Sequence, residues 1–208
     1  GLFKSTDGGR TWNSVSFPVT TTSNGVGINF VQFDESSSVS NGVTQKIYVG
    51  TAQTGNSIYV STNGGNSWSA VSGQPTQYIP HRCAMKNGTL FVTYANGAGP
   101  GIGSAGGYVY KYNGSWTNIS PSNNTSDYNY GGISIVGNRI VVTSVGCYKM
   151  QSWDGRCDWQ TATWGDEIFV SDNLGSSWNA MFSNCKVTFD ANSVPWVKDH
   201  AMHWTGCA

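Results

Sequence analysis

The fold of this chain is decided by residues 61–68, which read S-T-N-G-G-N-S-W. The same pattern, Ser-x-Asp/Asn-x-Gly-x-Ser/Thr-Trp, recurs at residues 5–12 and 171–178, and a shortened copy ends at Trp116. The tryptophans that close the copies lie roughly fifty to sixty residues apart, close to the period of four-stranded propeller blades. The repeat therefore predicts an all-β propeller.

This repeated motif is the Asp-box, and its residues are predicted to be structural. Its Asp or Asn can accept backbone N–H groups across a hairpin turn, and its Gly permits the positive φ that such a turn needs. Its Trp is expected to pack between neighbouring strands. The predicted box residues are Asp7, Trp12, Asn63, Trp68, Asn173 and Trp178.

Short alternating or β-branched runs surround each box and supply the remaining strands of each blade. They predict three full antiparallel blades at about residues 26–72, 81–120 and 131–183. A partial blade is expected at 1–17 and the first strand of a further blade at 199–208. We expect residues 1–208 to form part of a single propeller domain in a longer chain, because a propeller closes its ring to protect blade edges.

Composition narrows the class of ligand. The chain has eleven Lys/Arg and eleven Asp/Glu, so it lacks the basic excess of a nucleic-acid-binding protein. It also lacks an apolar run long enough to span a membrane. Nine Trp and ten Tyr are a large aromatic content for so polar a chain, and aromatic rings can stack on sugars. No nucleic acid, membrane or cofactor is expected as a partner.

Cysteines and glycosylation sequons predict a secreted or cell-surface protein. We expect a disulfide between Cys147 and Cys157, with Cys185 and Cys207 as a plausible second pair and Cys83 free. The sequons place candidate glycosylation sites at Asn87, Asn113, Asn118, Asn123 and Asn124.

Between the boxes, the sequence resembles glycoside hydrolase family 74 xyloglucanases. The resemblance rests on L-F-V-T-Y-A-N-G-A-G-P at 90–100, G-Q-P-T-Q-Y-I-P-H at 73–81 and W-G-D-E-I-F at 164–169. Further matches are Y-G-G at 130–132 and W-T-N-I-S-P at 116–121. The segment 146–163 resembles an insertion relative to the family.

The resemblance implies part of a secreted endo-β-1,4-glucanase that inverts configuration and acts on xyloglucan. The family's two catalytic carboxylates fall in stretches that do not align with this chain, so no catalytic residue is assigned. Family placement implies that Trp164, Trp204, Tyr130 and His81 contribute to the glucan cleft. The expected partners are a β-glucan such as xyloglucan and the rest of the chain's own longer polypeptide.

The sequence offers two other interpretations. Asp199, His200 and His203 resemble a metal cluster only loosely, and without a further ligand at suitable spacing no metal site is predicted. A non-catalytic Asp-box propeller, binding glycans or proteins as sortilin-like receptors do, is the alternative to a hydrolase. An upstream D-x-G-G loop and a second propeller downstream would favour the hydrolase.

Overall fold

The computed structural model describes residues 1–21, 25–95, 107–121, 129–145, 163–164, 168–181 and 187–188, and regular structure in them is entirely β-strand. The strands are β1 Phe3–Lys4, β2 Asn13–Ser14, β3 Ile28–Phe33, β4 Val39–Ser40, β5 Val43–Thr44, β6 Ile47–Thr51, β7 Ile58–Ser61, β8 Ser69–Ala70, β9 Ile79–Lys86, β10 Thr89–Ala95, β11 Tyr108–Tyr112, β12 Trp116–Asn118, β13 Asn129–Val136, β14 Arg139–Val145, β15 Thr163–Trp164, β16 Ile168–Ser171, β17 Asn179–Ala180 and β18 Val187–Thr188.

Three four-stranded antiparallel sheets dominate the structure. The first sheet has the order β3-β6-β7-β8, the second β9-β10-β11-β12 and the third β13-β14-β16-β17. The first strand of each sheet contacts that of the next, since β3 contacts β9 and β9 contacts β13. These strands are therefore innermost and β8, β12 and β17 outermost. Strands β1 and β2 form a two-stranded sheet, which matches the outer half of a blade.

The structure confirms the predicted all-β architecture of four-stranded blades. The three sheets span residues 28–70, 79–118 and 129–180. That all 208 residues form one domain stays a prediction. The strand predicted at 199–208 lies outside the described residues.

Apolar side chains on both faces of the central strands form the core. On β10, Leu90 and Val92 face the first sheet, where they join one buried cluster, while Phe91 belongs to a second cluster shared with the third sheet. All three are at most 1% exposed. Complete burial of such a side chain stabilises the fold by about 1.5–3 kcal/mol. The sheets are thus held together face to face.

Each Asp-box is built by hydrogen bonds within its own turn. In the second box, the Ser67 amide donates to Asn63 Oδ1 at 2.9 Å and the Gly65 amide to Ser61 Oγ at 2.8 Å. The first box repeats both bonds with Asp7 and Ser5 as acceptors, and the third repeats them with Asn173 and Ser171. Asp7, Asn63 and Asn173 thus each accept a backbone amide inside their own box turn.

The box tryptophans reach the preceding sheet. The indole Nε1 of Trp178 donates to the Ile119 carbonyl at 2.7 Å, and Trp116 Nε1 donates to the Ser72 carbonyl at 3.2 Å. Trp68 packs on Phe17, with ring centroids 5.4 Å apart. Trp12 differs from this pattern. It is 63% exposed and donates to Gly9 within its own turn, because no described sheet precedes it.

Each innermost strand carries a β-bulge near its start. In β3 the pairing register shifts between Ile28 and Phe30, and in β13 it shifts between Tyr130 and Ile133. In β9 it shifts between Pro80 and Arg82, which pair with Tyr94 and Thr93 of β10. Residues 29, 81 and 131 therefore occupy equivalent bulged positions. Bulges re-aim side chains and occur frequently beside functional sites.

Candidate functional site

The sheets have two chemically different edges. The box turns lie at one edge, which we call the box edge. The opposite edge is where β9, β11 and β13 begin and where β10 ends, and we call it the loop edge. Loops positioned by a rigid scaffold commonly carry binding residues.

Two of the binding residues predicted from the sequence, His81 and Tyr130, fall at the loop edge. His81 and Tyr130 lie near the starts of β9 and β13. Trp164 lies on β15, which pairs with β18 through Trp164 and Val187 and falls between β14 and β16 in the chain. Trp204 lies outside the described residues.

His81 occupies the bulge of β9, and its half-buried ring contacts the next sheet. Its Nδ1 lies 3.0 Å from the Gly131 carbonyl oxygen, so Nδ1 carries the proton in this bond. The Arg82 guanidinium donates to the His81 carbonyl at 3.0 Å. Burial lowers the pKa of His81, although the bond to Gly131 opposes this shift. The ring is therefore expected to be neutral at pH 7.

Tyr130 is a core residue rather than a surface platform. Its side chain is 0% exposed, and its ring centroid lies 6.2 Å from that of Phe169. The physical reason is the bulge that follows it, which shifts the alternation of β13 so that this ring turns into the cluster between the second and third sheets. In this position Tyr130 supports the loop edge and has no face available for a sugar ring.

A second group of aromatic residues at the loop edge was not predicted from the sequence. The rings of Tyr78 and Tyr108 are 4.5 Å apart at 46°, and that of Tyr94 lies 6.5 Å from Tyr78. Burial, followed by the hydrogen bond to Tyr108, raises the pKa of Tyr78 to about 12. The sequence signal that could have revealed this group is the tyrosine at every second position of Tyr108–Tyr112, because every second residue of a strand lies on the same face of the sheet.

The described carboxylates do not lie at the loop edge. Asp7 and Asp172 belong to box turns, and Asp34 and Glu35 follow the end of β3 at the box edge. Asp34 is 2% exposed and accepts the Ser36 hydroxyl at 2.6 Å, so it organises a turn. Within the described part of the chain, no three His, Cys, Asp or Glu residues are grouped as metal ligands.

Other predicted sites are only partly described. Asn87, Asn113 and Asn118 are exposed, whereas Asn123 and Asn124 lie outside the described residues. Cys147, Cys157, Cys185 and Cys207 also lie outside them, so the disulfide stays a prediction. Cys83 is a free thiol whose pKa burial raises to about 12. No helix in the described ranges has the length and apolarity to cross a membrane.

Box turns, inter-sheet cores and bulged inner strands together define an Asp-box β-propeller. Among solved structures, a family GH74 enzyme from Niastella koreensis matches 86% of the chain with a TM-score of 0.69 and 45% identity. A GH74 xyloglucanase from Xanthomonas campestris matches 89% with a TM-score of 0.68 and 27% identity. YCF48 from Cyanidioschyzon merolae, at 13% identity and a TM-score of 0.50, shares the fold alone.

Curated relatives agree with these structures. A xyloglucanase from a Paenibacillus species is 38% identical over 95% of the chain, and one from Hypocrea jecorina is 33% identical over 99%. No family model matches. The chain is thus related to glycoside hydrolase family 74 xyloglucanases, which confirms the resemblance read from the sequence. It covers 20% and 26% of these two relatives, and 26% and 27% of the two GH74 structures.

Proposed function

We propose that this chain is a section of a secreted or cell-surface hydrolase that cleaves xyloglucan with inversion, and that its loop edge forms part of the glucan-binding surface. The observation that carries the proposal is that His81 and the Tyr78–Tyr108 pair lie at one edge, in a chain whose relatives are named xyloglucanases. Secretion is supported by the exposed sequons.

The chemistry divides between this section and the rest of the protein. Inverting hydrolysis needs two carboxyl groups about 6.5–9.5 Å apart, one as general acid and one as general base for water. The carboxylates that the structure describes belong to the box edge, across the sheets from the proposed surface. Because the family's two catalytic carboxylates fall in stretches that do not align with this chain, this section is proposed to provide scaffold and binding surface, while both carboxylates come from elsewhere in the polypeptide.

The loop edge suits an uncharged polymer. Xyloglucan offers C–H faces and hydroxyl groups but no charge, so stacking on aromatic rings and neutral hydrogen bonds are its main means of recognition. Trp164 and Trp204 are proposed as stacking platforms. A neutral His81 keeps Nε2 as a hydrogen-bond acceptor while its Nδ1 is occupied by Gly131. Tyr130 is proposed only as the buried support of this surface.

The test is xyloglucan affinity of Trp164→Ala and Trp204→Ala variants, measured by calorimetry in the longest natural polypeptide that contains these residues. Each variant should weaken binding by about 1–3 kcal/mol, by analogy with base stacking on aromatic side chains. Thermal stability should change little. Trp12→Ala is the matched control, because this tryptophan lies at the box edge, and it should leave affinity unchanged.

Unchanged affinity with a steep fall in stability would identify Trp164 and Trp204 as core residues and reject the binding surface. Hydrolysis is tested separately in the same polypeptide. Glucan binding without any release of oligosaccharides would favour the non-catalytic glycan-binding propeller instead.

A further inference from the structure

A groove opens at the box edge between the first and second sheets. Its lining includes Lys46, Tyr48 and Thr62 from the first sheet, and Thr89 and residues 112–114 from the second. The volume of the groove is about 480 Å³, and small-molecule sites usually measure about 300–1,000 Å³. The groove lies across the sheets from the loop edge, so it is separate from the glucan-binding surface assigned to that edge.

The groove is open because one turn is short. Seven residues join β7 to β8 and β16 to β17, but only residues 113–115 join β11 to β12. In the third sheet the full box turn reaches the sheet before it. There Leu174 packs on the cluster shared with the second sheet, and a Cβ on Gly175 would meet the side chain of Ile119. The short turn of the second sheet has no equivalent of these two residues, so it leaves the gap to the first sheet uncovered.

The strand register shows that Tyr112 occupies the position of a box serine. Tyr112 pairs with Leu90 of the second sheet. Ser171 pairs with Ile140 at the same place in the third sheet. Ser171 is buried and accepts the Gly175 amide at 2.8 Å, whereas Tyr112 is half-buried and lines the groove. Where the second sheet lacks a full box, this position therefore carries an aromatic ring.

An ion pair closes the equivalent place in the third sheet. There the Arg139 guanidinium donates to both carboxylate oxygens of Asp172. Arg139 begins β14 as Thr89 begins β10, and Asp172 follows β16 as Asn113 follows β11. Thr89 and Asn113 carry no charge, so the second sheet offers a hydroxyl and an amide where the third sheet is bridged.

The groups in the groove suit a neutral ligand. Lys46 is the only charged residue in the described lining. Its Nζ lies 3.5 Å from Asp34 Oδ2 and 5.4 Å from the centroid of the Tyr48 ring, so its charge is already balanced. The Tyr112 ring packs on that of Trp116, with centroids 4.9 Å apart. A ring supported in this way, with amide and hydroxyl groups beside it, can stack on the C–H face of a sugar and bind its hydroxyls.

We propose that this groove is a second carbohydrate site, which takes one or two neutral pyranose units beside Tyr112. A β-glucan chain presents such units, and so does a glycan linked to Asn113, whose sequon at 113–115 forms the short turn. Protein made with and without glycosylation separates these two sources. The glucan as ligand rests on the proposed function, whereas the groove and its chemistry rest on the comparison of the three sheets.

The test is hydrogen exchange in the longest natural polypeptide that contains residues 1–208, made without glycosylation. Exchange is followed with increasing concentrations of xyloglucan oligosaccharides. At about ten times the dissociation constant, amides of residues 112–116 should exchange about tenfold more slowly, because a bound ligand opposes local opening. Residues 47–51, which form the buried strand β6, report whether each protein remains folded.

Two variants test the groove itself. Tyr112→Ser installs the box residue of the other sheets and should raise the oligosaccharide concentration for half-protection about tenfold, as removal of an aromatic platform does. The double variant Thr89→Arg and Asn113→Asp installs the ion pair of the third sheet without altering the aromatic ring, and it should abolish the protection. The matched control makes the same two changes on the exposed strand β12, as Thr117→Arg and Asn118→Asp, and should keep it.

A host that glycosylates Asn113 supplies the other source of sugar. In that protein residues 112–116 should be protected before any oligosaccharide is added, and removal of the glycan by a glycosidase should end the protection. Absence of protection at 112–116 in both preparations would overturn the proposal. Protection confined to residues 78–82 would do the same, yet it would leave the loop edge as a glucan-binding surface. Protection at 112–116 alone would support this site and reject the loop edge.

Discussion

Asn29 and His81 occupy equivalent bulges in successive inner strands, and each side chain binds a backbone carbonyl of the following strand. Asn29 Nδ2 donates to the Pro80 carbonyl at 2.6 Å, and His81 Nδ1 lies 3.0 Å from that of Gly131. The bulged residue thus does not pack between the faces of the sheets, and its side chain instead forms a hydrogen bond to the next blade. Of these two side chains, only that of His81 is titratable near neutral pH.

We predict that His81→Asn retains the stability of the chain at pH 7.5, because Asn29 shows that an amide can make the equivalent bond. His81→Ala removes the bond and should destabilise by about 0.5–1.5 kcal/mol. Urea unfolding of residues 1–208 measures both changes. Loss of stability in His81→Asn equal to that in His81→Ala would show that an amide at position 81 cannot replace the inter-blade bond, and no loss in either variant would show that the bond contributes nothing.

The same residue predicts a pH dependence. Burial lowers the pKa of His81 in the folded chain below 6.5, so the unfolded chain binds this proton more readily. Stability should therefore fall as pH drops through 6.5. This loss should be smaller in His81→Asn than in the wild type between pH 7.5 and 5.5. Identical pH slopes in the two proteins would contradict the assignment.

The first Asp-box should open in acid, and the other two full boxes should not. Hydrogen bonds from the Thr11 hydroxyl and amide lower the pKa of Asp7 to about 2 from 3.8. The carboxylate therefore stabilises its turn above pH 3.8, and this contribution is lost as pH falls toward 2. Asn63 and Asn173 hold the equivalent position without titrating, so they are internal controls.

The measurement is an NMR titration of the amide of Thr11 beside those of Ser67 and Ser177. Only Thr11 should shift with a midpoint near 2, and Asp7→Asn should abolish that shift. A common transition at all three amides would instead report global unfolding.

Local chemistry explains which parts of the structure could be predicted. The boxes were predictable because their hydrogen bonds join residues within one turn, as from Thr11 to Asp7. The environment of Trp12 was not, since it depends on a neighbouring sheet. Tyr130 was assigned to the cleft by family placement, and its burial could not be predicted because it depends on the bulge that follows it in β13. The Tyr78–Tyr108 pair could not be predicted from a short motif, because the two residues are thirty positions apart in the chain.

Residues 1–208 alone should not hydrolyse xyloglucan. Inversion needs an acid and a base on opposite sides of the bond, and the described carboxylates belong to box turns or to the turn after β3. The measurement is reducing-sugar release from xyloglucan by the purified chain against a buffer blank. Release above the blank would place a catalytic carboxylate within these residues, outside the described ranges, at Asp127, Asp154, Asp158, Asp166, Glu167, Asp190 or Asp199.

Gly50 distinguishes the inner hairpin of the first sheet from those of the other two. Thr93 and Thr143 are its equivalents on β10 and β14, and their hydroxyls accept the amides of Arg82 and Gly132 at 3.1 and 2.9 Å. A Cβ at Gly50 would run into the ring of Phe30, which fills the space of the missing hydroxyl. Gly50→Thr should therefore destabilise by about 1–3 kcal/mol through overpacking.

Phe30→Ala should reverse part of that cost. With the ring removed, a threonine at position 50 gains room, and its hydroxyl can accept the amide of residue 30 as Thr93 accepts that of Arg82. Gly50→Thr should thus cost less in the Phe30→Ala background than in the wild type, with a coupling free energy of about 0.5–3 kcal/mol between these contacting residues. Urea unfolding of the four proteins in the cycle measures it. Additive effects would mean that the Phe30 ring does not exclude a side chain at position 50, and that the glycine is there for another reason.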